Sequence, residues 1–418
     1  FFSCLFFSGS STLFHGSAPE VKHRVRPWHS RHRVEAVPAP TPSVAMAAKP
    51  PSAASGAQPN LEWRAIAMND VRTHPLYFAL EDPRAVLCQG VADYWRFRQG
   101  TWQWDLLHDG RLTTSKMGPA LGIYEGVAQR SLGVPQSLAG HHKALHAWDH
   151  LCSTVPPRDE ALNAEHAPGA APGWAYPVWH PPCSPSVPFQ YEYRPPLRAP
   201  RLYDVRNVGE ARMVWGSTQE GTSIVAAINY FAARGAHVGE LGMCPAEVHN
   251  AHAPCAPLLG ASPDGAVFLP DETIAALEIK NHSPFAQRGT SQGFTIADPG
   301  PHTSVAPWHI PQLMLEMYCI GPACTAAYFM SCSATRGIAV LHVPRDDAYI
   351  AAMLHFTTIF HDRFVRPRAE PPEDFFGYEP EYHEFLDYTR SVAEAAQLEA
   401  LIPDTQVQRS PHNMQFFL

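Results

Sequence analysis

No run of eighteen or more apolar residues occurs in the 418 residues, so no segment is long enough to span a bilayer as a helix. The nine cysteines are scattered, without the dense spacing of a disulfide scaffold, which favours a reducing compartment and a soluble intracellular protein, nucleus or organelle left open. Cys319, Cys324 and Cys332 lack the tight spacing of an iron–sulfur cluster. There is no G-x-S-x-G, no Walker sequence and no dinucleotide fingerprint, which leaves serine hydrolase, ATPase and dehydrogenase readings without support. There is no internal repeat. A global positive charge is also missing: the net charge is −8, with a surplus of four positive charges in residues 1–60 and −12 over the rest. An acidic body attracts nucleic acid only through a local basic groove or bound divalent metal.

What is present is enough apolar content, 45%, for one large domain or two ordinary ones. Residues 1–60 run from an apolar Phe/Ser stretch through Arg and His into Ala/Pro/Ser, which suits a leader or disordered segment: either an organelle transit peptide or sequence preceding a true start at Met46. Globular composition begins near Leu61 and continues to about 365. A Pro-rich insert is expected over about 131–205, where residues 167–200 alone hold ten prolines. Residues 366–418 are expected as a tail with one amphipathic helix between about Glu381 and Leu401.

Within the domain, Thr113-Thr114-Ser115 predicts the start of a helix closing at Gly122. Val214, Ile224, Val225, Ile228 and Phe231 are spaced for a long helix from about Val208 to Arg234, stopped by Gly235. Gly265–Leu269 and Ile274–Ile279, separated by Pro270-Asp271-Glu272-Thr273, predict a β-hairpin. A helix over Pro311–Ile320, strands over Ala326–Met330 and Ile338–Val343, and a helix over Asp347–Phe364 complete a mixed α/β order.

The hairpin carries the chemistry. Side chains alternate along a strand, so Glu278 and Lys280 share one face, and the turn brings Asp264 beside them. Two carboxylates at one spot repel and offer oxygen ligands to a hard cation such as Mg²⁺, while the lysine stabilises charge on a reacting phosphate. The same residues also suit a turn aspartate beside an exposed edge strand.

This stretch resembles the PD-(D/E)XK nuclease core in the form used by the lambda-exonuclease and YqaJ-type viral recombinase family. Leu259-Gly260-Ala261-Ser262-Pro263-Asp264-Gly265 is similar to the family's strand entry and Leu277-Glu278-Ile279-Lys280 to its catalytic strand. Trp215-Gly216-Ser217-Thr218-Gln219-Glu220 resembles a helix motif whose Glu completes the metal site, often through water. Gln312, with Leu313 and Glu316, resembles a helix whose Gln reaches the active site. Trp104, Gly110-Arg111-Leu112-Thr113 and Ser115 resemble a segment that grips the terminal phosphate of DNA, and a helix N-terminus at Ser115 suits an anion.

The resemblance implies a restriction-endonuclease-like α/β fold of the α+β type, with a mixed central sheet flanked by helices. It implies catalysis by Glu220, Asp264, Glu278, Lys280 and Gln312, with Mg²⁺, or Mn²⁺ in its place, on Asp264, Glu278, the Ile279 carbonyl and Glu220. Arg111, Ser115 and His108 become the phosphate-binding residues, and duplex DNA ends the partner, with a homo-oligomer left open. The chain departs from the family pattern at His108, where a second permanently basic residue is usual, and at Asn281-His282. The alternatives are a DNA-binding module without turnover and an endonuclease of the same fold.

Two other clusters remain. Cys244, His249, His252 and Cys255 are four zinc-competent residues within twelve, although the spacing is not that of a standard finger and a plain loop fits as well. Arg194, Arg198, Arg201, Arg206 and Arg212 suggest a phosphate track, but Glu192, Asp204 and Glu210 interrupt it as in a solvated mixed-charge segment.

Overall fold

The structure, a computed structural model, describes residues 65–88, 94–153, 208–248, 257–287 and 294–408. Its strands are β1 (Tyr77–Phe78), β2 (Arg111–Thr113), β3 (His237–Gly239), β4 (Cys244–Pro245), β5 (Leu258–Ala261), β6 (Gly265–Phe268), β7 (Ile274–Asn281), β8 (Phe285–Gln287), β9 (Phe294–Ile296), β10 (Cys324–Cys332), β11 (Ile338–Pro344) and β12 (Gln397–Ile402). Seven form one sheet in the order β1-β3-β6-β7-β10-β11-β12, and β2-β5-β4 form a smaller one. The expected hairpin is β6–β7, antiparallel with Gly265 opposite Leu277 and Phe268 opposite Ile274. On its other side β7 runs parallel to β10, so the main sheet is mixed and β7 is its central strand.

Six helices matter for the site: α1 (Thr114–Ala120), α2 (His142–Cys152), α3 (Val208–Ala232), α4 (Ile310–Ile320), α5 (Asp347–Phe360) and α6 (Pro380–Glu394). They cover both faces of the sheet, and the alternation of β7 shows how. Ala275, Leu277 and Ile279 join Ile224, Ile228 and Phe231 of α3 in one apolar cluster, whereas Ala276 joins Leu313, Met314 and Met317 of α4 in the other. A strand covered on both faces is apolar nearly throughout, which makes the charges of Glu278 and Lys280 conspicuous. Burying a Leu or Ile side chain contributes about 1.5–3 kcal/mol, so the two clusters hold the strand's register firmly.

Two boundaries differ from expectation. The span expected as a Pro-rich insert begins with structured chain: α2 places Ala147 and Leu151 in the main core, and residues 154–207 lie outside the described residues. The segment after 365 belongs to the same unit, residues 59–418, rather than forming a tail. Tyr382, Phe385 and Leu386 of α6 pack into the core, and β12 pairs antiparallel with β11. The amphipathic stretch thus ends as an edge strand, because after Ala395 and Ala396 the chain turns extended and adds hydrogen bonds to an open sheet edge. Among the described residues no helix is long and apolar enough to cross a membrane.

Candidate active site

The hairpin brings Asp264, Glu278 and Lys280 together as the alternation predicts. Asp264 precedes β6, and its Oδ2 accepts the backbone N–H of Ile279 at 2.7 Å, which ties the aspartate across the hairpin to β7. Glu278 is 3% exposed, and the Lys280 ammonium donates to its Oε1. The Asp264 position is fixed from outside as well: Trp104 Nε1 donates to Ser262 Oγ at 2.8 Å, and Gln99 Nε2 donates to the Pro263 carbonyl at 3.2 Å. Trp104 therefore holds the strand entry in place.

Glu220 reaches the same region from α3. Gly221 lets the N-terminal chain cross the helix there, since a Cβ on it would lie 2.2 Å from the Ile66 carbonyl oxygen. Asn281 staples helix to strand. Its side chain accepts from Ser223 Oγ at 2.6 Å and donates to the Gly216 carbonyl at 3.2 Å. On the opposite face Gln312 and Glu316 come from successive turns of α4, with Gln312 Nε2 donating to Glu316 Oε1 at 2.9 Å. Glu316 is fully buried, and its Oε2 has no partner among the described residues.

The electrostatics are those of crowded carboxylates. Burial first, then Glu278 and Glu220, push the Asp264 carboxyl well above its ordinary range. Burial and Glu278 do the same to Glu316. Glu220 is raised by burial, and by Glu240 and Glu278 against the opposing pull of Arg72. Burial alone would lower the Lys280 ammonium, but Glu278 and Asp264 outweigh it and hold the lysine charged. That charge presses on His309, whose imidazole burial, Lys280 and two neighbouring histidines push down to about 3.

A divalent cation fits this donor set, because a buried, mutually repelling group of carboxylates with one unsatisfied oxygen is relieved by positive charge. Among the described residues no three His, Cys, Asp or Glu side chains stand together at metal-ligand spacing. Mg²⁺ does not require three: it keeps several waters and takes one or two carboxylates together with substrate phosphate. Of the zinc-competent quartet, Cys244 is a buried thiol pushed up to about 12 by burial, and His249, His252 and Cys255 lie outside the described residues.

The expected phosphate anchors divide. Ser115 lines a cavity of about 210 Å³ that also receives Lys280 and Gln312. Arg111 is 6% exposed, its guanidinium held by both Glu247 oxygens and the Leu259 carbonyl. Binding phosphate would require breaking that pair, so Arg111 is a bolt between β2 and β5 rather than a free anchor. His108 donates from Nδ1 to the Trp104 carbonyl at 2.7 Å and packs edge-on against the indole at 3.9 Å between centroids. Burial lowers its pKa, which removes the expected charge near neutral pH. Of the arginine track, Arg212 is exposed on α3 and the other four lie outside the described residues.

Sequence reasoning named Glu316 within the Gln312 motif but gave it no role, although its position one turn after Gln312 was the available signal. It missed Tyr124 and Lys143, which line the cavity, the lysine from within the span taken to be a Pro-rich insert.

No family model matches the sequence, and no curated protein does. One solved structure, of an alkaline exonuclease from Laribacter hongkongensis, aligns over 70% of this chain and 99% of its own, with 16% identity and a TM-score of 0.32. That likeness is too distant to carry a function across.

Proposed function

We propose that the chain is a Mg²⁺-dependent deoxyribonuclease that hydrolyses phosphodiester bonds from duplex ends. The supporting observation is the hairpin bond from Ile279 N–H to Asp264, which sets that carboxylate against Glu278 and Lys280 on the central strand. Asp264 and Glu278 would hold the cation, with the Ile279 carbonyl and, through water, Glu220. Bound there, it would supply Lewis-acid stabilisation of the scissile phosphate.

The chain's own groups divide the remaining work. Lys280, kept charged by its carboxylate neighbours, stabilises negative charge developing on the phosphate oxygens. Gln312 lines the cavity with one amide hydrogen fixed by Glu316, an arrangement suited to orienting the attacking water. Trp104 and Asn281 act at one remove, holding Asp264 and the α3 helix in place.

Purified protein with linear duplex and Mg²⁺ should release nucleotides, and a covalently closed circle should survive. Relaxation of the circle would assign internal nicking instead. Inertness towards both DNAs with Mg²⁺ and with Mn²⁺ would remove the nuclease reading.

A further inference from the structure

Lysine is rare in this chain: there are five in 418 residues. Lys22 and Lys49 lie outside the described residues, and the other three sit on three separate elements, Lys116 on α1, Lys143 on α2 and Lys280 on β7. All three line two adjoining cavities, the one of about 210 Å³ already described and a second of about 380 Å³. The two share Ser115, Tyr124 and Lys143. The Tyr124 ring forms the common wall, with Lys143 Nζ 4.1 Å from its centroid. Gly118 leaves room for that ring, since a Cβ there would stand 3.1 Å from it.

No Asp or Glu lines either cavity. Among the described residues neither Lys116 nor Lys143 has an acidic partner, whereas Arg72, Arg111 and Arg345 are each paired with a carboxylate. Burial lowers the Lys143 ammonium, opposed only by the face of an aromatic ring. Holding an ammonium partly desolvated without a counter-charge is unfavourable unless an anion completes the site. Lysine suits such a role, being a compact cation on a flexible stem with three donors.

We propose that this cleft is a second phosphate subsite for a nucleic-acid strand, in which Lys143 and Lys116 hold the phosphate neighbouring the one at Lys280, with Tyr124 as the floor between them. The inference rests on the nuclease reading and goes beyond it by replacing Arg111 and His108 as the anchor. The ligand is a phosphate oxygen of DNA, and its source is either an internal phosphodiester or a terminal phosphomonoester.

The test is equilibrium binding of full-length protein to labelled duplexes in Ca²⁺, which suppresses cutting, over a range of KCl. Duplexes with a 5′-phosphate, with a 5′-hydroxyl, and with one neutral methylphosphonate at each of the first positions separate the two sources. Lys143→Gln and Lys116→Gln should each weaken binding about 5- to 20-fold and flatten the dependence on log salt by about one unit. Lys143→Arg should restore most of the loss. One substitution, either the missing 5′-phosphate or a single methylphosphonate, should cost the wild type as much and Lys143→Gln nothing further. Acetylation mapped by mass spectrometry, which needs no variant to fold, should show Lys143 and Lys116 protected by saturating DNA. Wild-type affinity and salt slope in both Gln variants, or equal labelling with and without DNA, would overturn the subsite while leaving the nuclease reading intact. A wild-type protein that neither binds nor cuts DNA would overturn both.

Discussion

The central hairpin and the Trp104–Ser115 segment each carry charged residues that the sequence marks for contact with DNA, yet they arrive in opposite electrostatic states. Around β7, the carboxyls of Asp264, Glu220 and Glu316 are raised by burial and by neighbouring carboxylates, Glu278 among them, and one Glu316 oxygen has no partner among the described residues. In the other segment Arg111 is already neutralised by Glu247, and burial disfavours the charged form of His108. A charge satisfied within the fold has little left to offer a ligand. A charge kept in an unfavourable setting is one the fold tolerates because something else completes it.

The largest expected effect falls on the hairpin. Asp264→Ala and Lys280→Ala should each reduce cleavage of linear duplex by about 10³-fold or more, the loss typical of removing a group that stabilises the transition state. Circular dichroism should show both variants folded, and single-turnover rates with saturating Mg²⁺ should show the defect in the chemical step. Near-wild-type turnover by either variant would erase the contrast between the two regions.

Arg111 sharpens the comparison from the other side. Arg111→Met should lower stability by about 2 kcal/mol, less than a fully buried pair because Glu247 is partly exposed. That corresponds to a fall in Tm of about 4 °C for a domain of this size. Affinity for 5′-phosphorylated ends in Ca²⁺ should stay within about twofold, with an unchanged salt slope. A steep loss of end binding in a variant of normal Tm would return Arg111 to the phosphate site.

What could be foreseen follows from how local each signal is. The β6–β7 hairpin rests on alternation and a turn, both written within seventeen consecutive residues, and it places Asp264, Glu278 and Lys280 without further information. Partners are not local. Nothing near Arg111 in the chain announces Glu247, 136 residues away, or tells a buried bolt from a phosphate anchor. Glu316 lies among Leu313, Met314, Leu315 and Met317, where helical periodicity signals only a core-facing helix. α2 was hidden by the prolines beyond it, and β12 because a short segment of mixed polarity fits a helix end and an edge strand equally well until β11 offers its hydrogen bonds.

Glu316 gives a smaller effect with an informative sign. Its folded-state pKa is raised, so the native protein binds its proton more readily than the unfolded chain does. The destabilisation is therefore present above the folded pKa and absent below the unfolded one. Glu316→Gln, which keeps an acceptor for Gln312, should stabilise the metal-free protein by about 1 kcal/mol at pH 8 and by progressively less towards pH 4. The same variant should bind Mn²⁺ more weakly by calorimetry and cut about tenfold more slowly. A variant less stable than wild type at pH 8 would mean that the buried carboxylate is satisfied after all.

The smallest effect belongs to His108. With its pKa lowered by burial, the imidazole takes up a proton in the native state only at lower pH than in the unfolded chain, whose ordinary value is about 6.5. Its contribution to stability is thus complete above about pH 6.5 and lost as pH falls towards the folded pKa. His108→Gln, which can still donate to the Trp104 carbonyl, should change Tm by about 1 °C or less at pH 7.5 and should flatten the fall in Tm between pH 6.5 and pH 5. Because a ring whose pKa is lowered contributes less charge to phosphate capture, the same variant should leave the preference for 5′-phosphorylated over unphosphorylated ends within about twofold from pH 6 to pH 8. A wild-type preference that weakens over that range and disappears in His108→Gln would make the histidine a titrating anchor. In that case the Trp104–Ser115 segment would share in DNA binding, and the division between satisfied and unsatisfied charges would fail at the residue where it is most easily measured.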